Sequence, residues 1–265
     1  MLVVMADSEQ ENKSRSRTIA VANQKGGVGK TTTTVNLGAA AAELGKKVLV
    51  VDLDPQANAT TGLGVSSRDL NASVYDLVME QSSIEEVICT LEVPNLELVP
   101  SSLSLAGAEI ELVTAFSREQ KLSKALQPVV DNYDLILVDC PPALGLLTVN
   151  ALVFCQEVLV PIQTEYYALE GLGQLIGNID LVKTNLNPDL ELSTIVLVMY
   201  DARTKLSEQV SEEVRAHFGD RVCNQVIPRS IRLSEAPSFG QPINLFDPTS
   251  RGALAYRELA KEVLL

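Results

Sequence analysis

Gln24-Lys25-Gly26-Gly27-Val28-Gly29-Lys30-Thr31-Thr32 follows a β-rich run at 18–23 and opens a helical stretch at 30–44. A strand, a glycine-rich turn and a helix in that order are what a phosphate-binding loop requires. Glycines let the backbone curl so that its N–H groups face inward, and the helix N-terminus adds positive potential. In such a loop Lys30 contacts the β- and γ-phosphates of a nucleoside triphosphate, and the Thr31 hydroxyl is a ligand for Mg2+. The general template puts glycine at position 24, where this chain has Gln, with an additional lysine at 25.

Outward from the loop, short runs rich in Val, Ile and Leu alternate with helical patterns. Strands are expected at 18–23, 47–52, 96–100, 134–139, 157–161, 191–198 and 223–227. Helices are expected at 30–44, 118–130, 145–154, 169–185, 205–218 and 251–263. The runs are apolar on both alternations, as in a parallel sheet covered on both faces. The fold class is therefore α/β: a doubly wound, mostly parallel sheet with helices on both faces. Residues 1–17 are polar with mixed charge and are expected to form a mobile arm ahead of one domain spanning 18–265.

Two further segments bring carboxylates to the C-terminal edge of that sheet. Val50-Val51-Asp52-Leu53-Asp54-Pro55-Gln56 ends a strand in two acids of the same parity, so both point to one side if the extended structure continues. A capped turn at Asp-Pro-Gln is the alternative. Leu135-Ile136-Leu137-Val138-Asp139-Cys140-Pro141-Pro142 reads as a buried central strand ending in an acid that binds Mg2+ through water. Cys140 is a small buried residue rather than a nucleophile, because no histidine lies near it in sequence.

Composition narrows the classes. The chain has 265 residues, 46% of them hydrophobic, enough for a sizeable core and too many for a disordered protein. No stretch approaches the ~18 apolar residues of a membrane span. The four cysteines lie far apart and read as reduced thiols of a cytosolic protein. A single histidine, His217, argues against a His-rich metal site or a His-based triad. The net charge is −13, but the acidity is regional: residues 1–200 hold 12 basic against 25 acidic residues, and the remainder nine of each. A local basic face therefore remains open to nucleic acid.

The loop resembles the deviant Walker A motif, K-G-G-x-G-K-S/T, of the partition and septum-site ATPases, the ParA/MinD superfamily. The resemblance implies an ATPase with weak basal activity, Mg-ATP bound by Lys25, Gly26, Gly27, Val28, Gly29, Lys30, Thr31 and Thr32, and a sandwich homodimer. In it Lys25 reaches the phosphates held by the partner subunit, a cation supplied in trans. It also implies that Asp54 positions and polarises the attacking water, that Asp52 supports the magnesium shell, and that Thr31 and Asp139 serve the metal.

The stretches 161–171, 199–204 and 227–238 resemble the chromosomal ParA (Soj-type) proteins. The chain is expected to be the short form, with no helix-turn-helix domain before the loop. The resemblance implies that Pro228 and Ser230 border the adenine, Ser230 standing where asparagine or threonine is common. It implies a sequence-independent surface for double-stranded DNA formed by Arg203, Arg232 and Arg251, and a ParB-type partner that stimulates hydrolysis. A cytoplasmic, nucleoid-associated location follows, without stable membrane association. Alternatives are a ParA-like ATPase positioning a non-chromosomal cargo and a MinD-type membrane-bound regulator. The end of the chain, 251–265, offsets three basic residues with two glutamates, too little charge for firm binding to anionic lipid.

Overall fold

Seven strands, Arg17–Val21 (β1), Val48–Asp52 (β2), Cys89–Thr90 (β3), Leu96–Val99 (β4), Leu135–Asp139 (β5), Glu157–Gln163 (β6) and Glu191–Val198 (β7), run side by side in the order β3-β4-β2-β5-β1-β6-β7 in a computed structural model that describes residues 16–165 and 168–264. All neighbours pair in parallel except β3, an antiparallel edge strand on β4.

Alternation sorts the strand side chains into two cores. On β5, Ile136 and Val138 face one side while Leu135 and Leu137 face the other; on β2, Leu49 and Val51 oppose Val48 and Val50. The first core takes Leu147 and Ala151 from the helix Leu146–Phe154 and Leu175 and Ile179 from the helix Ala168–Asn185. The second takes Leu37 and the alanines of α1 (Lys30–Glu43), with Tyr256, Leu259 and Val263 of the helix Arg251–Leu264. Period-two strands covered on both sides are what the uninterrupted apolar runs implied. Small residues bring α1 close: a Cβ at Gly38 would lie 3.1 Å from Val50 Cγ2.

Three expectations differ from the structure. Residues 223–227 form no strand. The Cys223 and Ile227 N–H groups still reach β7 carbonyls, at 2.9 and 2.8 Å, but Asn224 and Gln225 give their N–H groups to the Glu262 carboxylate. The helix expected over 118–130 is a 3-10 turn, Arg118–Gln120, followed by Lys121–Leu126. Pro128 explains its early end, since proline lacks the N–H and disfavours helical backbone before it. Finally, Arg17 already belongs to β1, where its guanidinium pairs with Glu157 at 2.7 and 2.8 Å. Residues 1–15 of the expected arm lie outside the described residues, as do Tyr166 and Tyr167.

Candidate active site

β1, β2 and β5 are adjacent and parallel, so their C-terminal ends deliver three loops to one place. The first is the glycine loop. Asn23 anchors it: its Nδ2 donates to Pro161 O (2.8 Å), and its Oδ1 accepts from the Lys25 N–H (3.0 Å). Gly27 and Gly29 have φ of +74° and +79°, a region that side chains resist. Nothing lies within 4 Å of a Cβ built at Gly26 or Gly27, so the loop borders open space. α1 then begins at Lys30 with Gly29 as its cap, leaving the first-turn N–H groups directed toward the loop. That is a cradle for an anion.

Lys30 is folded back across the loop, its Nζ donating to Lys25 O at 3.1 Å. Burial pulls its pKa down, while the nearby Asp139 and Asp54 carboxylates oppose that shift. Lys25 is half-exposed and pairs with Glu165 at 2.6 Å.

The second and third loops carry the acids, and their strand ends are in register, Asp52 opposite Asp139. Asp139 is fully buried and accepts from Thr31 Oγ1 (2.7 Å) and Thr34 Oγ1 (3.1 Å). Asp52, equally buried, is occupied by the Thr60 N–H (2.8 Å), Thr60 Oγ1 (2.7 Å) and the Asp54 N–H (3.2 Å). β2 ends at Asp52, and Asp54 forms the capped turn, accepting from the Gln56 N–H at 2.9 Å. Its side chain is still part of the site, 7% exposed.

Burial pushes the Asp139 carboxyl well above the usual range, and the neighbouring Asp52 pushes it further, against the two threonine hydroxyls. Asp52 is raised by the same burial and held back mainly by Thr60. A carboxyl raised in this way binds its proton more tightly when folded. Its contribution is therefore full below the unfolded pKa near 4 and is lost as pH rises through the folded value. Without nucleotide and metal, the melting temperature is expected to fall as pH rises above about 5, with a shallower slope in Asp139→Asn. Equal slopes in thermal melts of the two proteins would contradict the assignment.

Among the described residues no three His, Cys, Asp or Glu side chains cluster as a metal cage. The donor set suits Mg2+ instead, which keeps several waters and takes one or two protein oxygens beside phosphate. Thr31 Oγ1 and Asp139, 2.7 Å apart at the mouth of the loop, fit that requirement. A cavity of about 270 Å³ next to Gly29 and Thr32 is walled by Met199, Pro228, Ser230 and Tyr256. Its place beside the loop and its mixed lining suit a nucleobase.

The sequence-predicted residues at 25–32, 52, 54 and 139 thus converge, with Pro228 and Ser230 at their flank. The arginines do not join them. Arg203 is 87% exposed and bidentate to Asp201 at 2.7 and 2.8 Å. Arg232 bonds Asp247 and Glu235, both at 2.8 Å, and lies 4.5 Å from the Phe246 ring centre. Arg251 is exposed at the start of the last helix. Sequence reasoning missed Thr34, Thr60, Asn23 and Glu165. Only Thr34 had a usable signal: four threonines follow Lys30, and 31 and 34 share a helix face.

The family described as AAA domain matches residues 16–192. The chain is 56% identical over 245 residues to the sporulation initiation inhibitor protein Soj of Bacillus subtilis, covering 92% of this chain and 97% of that protein. It is 48% identical over 250 residues to the chromosome partitioning protein ParA of Caulobacter vibrioides, covering 94% of each. A crystal structure of cobyrinic acid a,c-diamide synthase from Mycobacterium smegmatis, with bound ADP and magnesium, superposes with a TM-score of 0.83 at 37% identity, covering 94% of each chain.

Proposed function

The chain belongs to the Soj/ParA family of chromosome-partition P-loop ATPases, and we propose that it is an ATP-gated DNA-partition switch. Mg-ATP drives a sandwich homodimer, the dimer binds double-stranded DNA without regard to sequence, and hydrolysis, stimulated by a ParB-type partner, releases it. The work takes place in the cytoplasm on the nucleoid.

The observation that carries this proposal is the convergence of Lys30, Thr31, Asp139 and Asp54 on one glycine loop. The loop N–H groups and Lys30 bind the phosphates. Thr31 and Asp139 would hold magnesium, which would supply positive charge beside the phosphates. Asp54 keeps one carboxylate oxygen beyond its turn bond, and that oxygen orients the attacking water and takes its proton. Lys25 leaves Glu165 to neutralise phosphate charge in the other subunit, which makes hydrolysis depend on pairing. Asp52, engaged by Thr60 at one oxygen and by the Asp54 N–H at the other, holds the Asp54 loop in place.

The last helix favours DNA over lipid as the surface. Tyr256, Leu259, Ala260 and Val263 are buried against the body, so its apolar face is spent on the core. No helix among the described residues is long and apolar enough to cross a membrane. The test is binding of Asp54→Ala to a random-sequence duplex with Mg-ATP or ADP across a salt series. Salt-sensitive binding with ATP alone is the expected result. No binding under conditions where the dimer forms would overturn the DNA switch. Arg203→Glu in that background is expected to abolish DNA binding while ATP binding survives; unchanged DNA affinity removes Arg203 from the surface.

A further inference from the structure

Two arginines of the DNA surface proposed above already hold carboxylates. Arg203 gives its Nε to Asp201 Oδ1 at 2.8 Å and its Nη2 to Asp201 Oδ2 at 2.7 Å, a closed fork on one carboxylate. Arg232 gives its Nε to Asp247 and its Nη1 to Glu235, both at 2.8 Å. The even balance of nine basic and nine acidic residues after position 200 is thus partly made of local pairs.

The Asp201–Arg203 pair is built into the backbone. After β7 the chain is pinned by the Tyr200 N–H on Ile227 O (3.0 Å) and by the Arg229 N–H on Tyr200 O (3.1 Å). Asp201 Oδ1 then accepts the Arg203 N–H at 3.1 Å, and Asp201 O accepts the Thr204 N–H and hydroxyl, both at 3.0 Å. Thr204 in turn caps the helix Lys205–Phe218. The carboxylate therefore has a fixed position, while the side chain that it holds is almost wholly exposed. Hydrogen bonding to Arg203 holds the Asp201 carboxyl down to about 2, and the charge of Arg229 acts in the same direction.

A guanidinium fork receives carboxylate and phosphate in the same geometry. We propose that Asp201 is an internal competitor of DNA phosphate at Arg203, so that this arginine reaches DNA only when a phosphate displaces the carboxylate. The inference rests on the DNA-binding reading above and adds to it a residue that sets the affinity of that surface. An exposed ion pair is weak, which makes the exchange reversible. A single anion gains little by replacing one carboxylate. A duplex gains more, because its phosphates act together and each contact releases condensed counterions. The pair thus favours a polyanion over isolated phosphates.

The test is affinity for a random-sequence duplex at low salt, in the Asp54→Ala background with Mg-ATP. Asp201→Asn keeps the Oδ1 acceptor of the turn and removes the charge. It is expected to tighten DNA binding about threefold, the scale of one exposed pair, with ATP affinity unchanged. Glu208→Gln removes the same charge from an exposed carboxylate in the first turn of the next helix and is expected to change the affinity far less. In an Arg203→Ala background, Asp201→Asn is expected to give no gain. Equal gains from Asp201→Asn and Glu208→Gln, or a gain that persists without Arg203, overturn the competitor and leave only relief of general repulsion. Unchanged affinity in Asp201→Asn overturns it as well, and weaker binding makes Asp201 a residue that orients Arg203 instead. If the asparagine variant loses ATP binding, Asp201→Ser, whose hydroxyl accepts the same N–H, decides. A parent protein that binds no DNA overturns the DNA-binding reading and this inference with it.

Discussion

Asp54→Ala is expected to lower kcat for ATP hydrolysis by about 10²–10⁴-fold, the usual loss when a positioned base is removed. ATP binding and the ATP dimer should survive. The side chain is buried at the edge of the site, and one oxygen is committed to the Gln56 N–H. Removing it takes away the acceptor for water without touching the cradle at 26–31. Asp54→Asn separates the two duties of the residue: it can keep the turn through its amide oxygen but cannot take a proton. Single-turnover hydrolysis in both variants is the measurement. Comparable loss in Ala and Asn points to proton transfer. Near-normal turnover in Asn would reduce Asp54 to a turn-former.

Lys30→Ala is expected to weaken ATP binding about 100-fold or more, in line with the loss of one charged donor aimed at phosphate in a buried site. Lys30 is 6% exposed, and its ammonium lies in the field of Asp139 and Asp54. Without it those carboxylates face the phosphates with no lysine between. Lys30→Arg should not restore affinity, because the planar guanidinium does not fit a space shaped for a compact ammonium. Titration with a labelled ATP analogue reads both variants. Wild-type affinity in Lys30→Ala would remove the lysine from phosphate binding; rescue by arginine would show that charge alone suffices.

Much of this site was legible because its parts are local. The loop needs glycines at left-handed positions and a helix start at Lys30, and both lie within nine residues of sequence. Leu135–Asp139 announced itself as a buried strand through four apolar residues before an acid, and it pairs with β1 and β2 along its full length. The misread segments were those where a side chain or a proline overrode local pattern. Glu262, some 37 residues away, takes the N–H of Gln225 and stops the run 223–227 from becoming a strand. Several short helices, such as Asn58–Gly62 and Ile231–Glu235, carry too little periodicity to be seen.

What the order of residues settles here is the kind of chemistry: a phosphate cradle, a lysine, a hydroxyl and three acids, two on strand ends and one in the turn that follows. Spacing and backbone preference specify these because each is satisfied within a few residues. What tertiary structure alone decides is how the acids differ. Asp52 and Asp54 are two residues apart and chemically identical, yet Thr60 occupies one and leaves the other partly free. Asp139 obtains its hydroxyl partners from α1, over a hundred positions earlier. Burial and hydrogen-bond partners are properties of the packed chain, and they divide the roles among like residues.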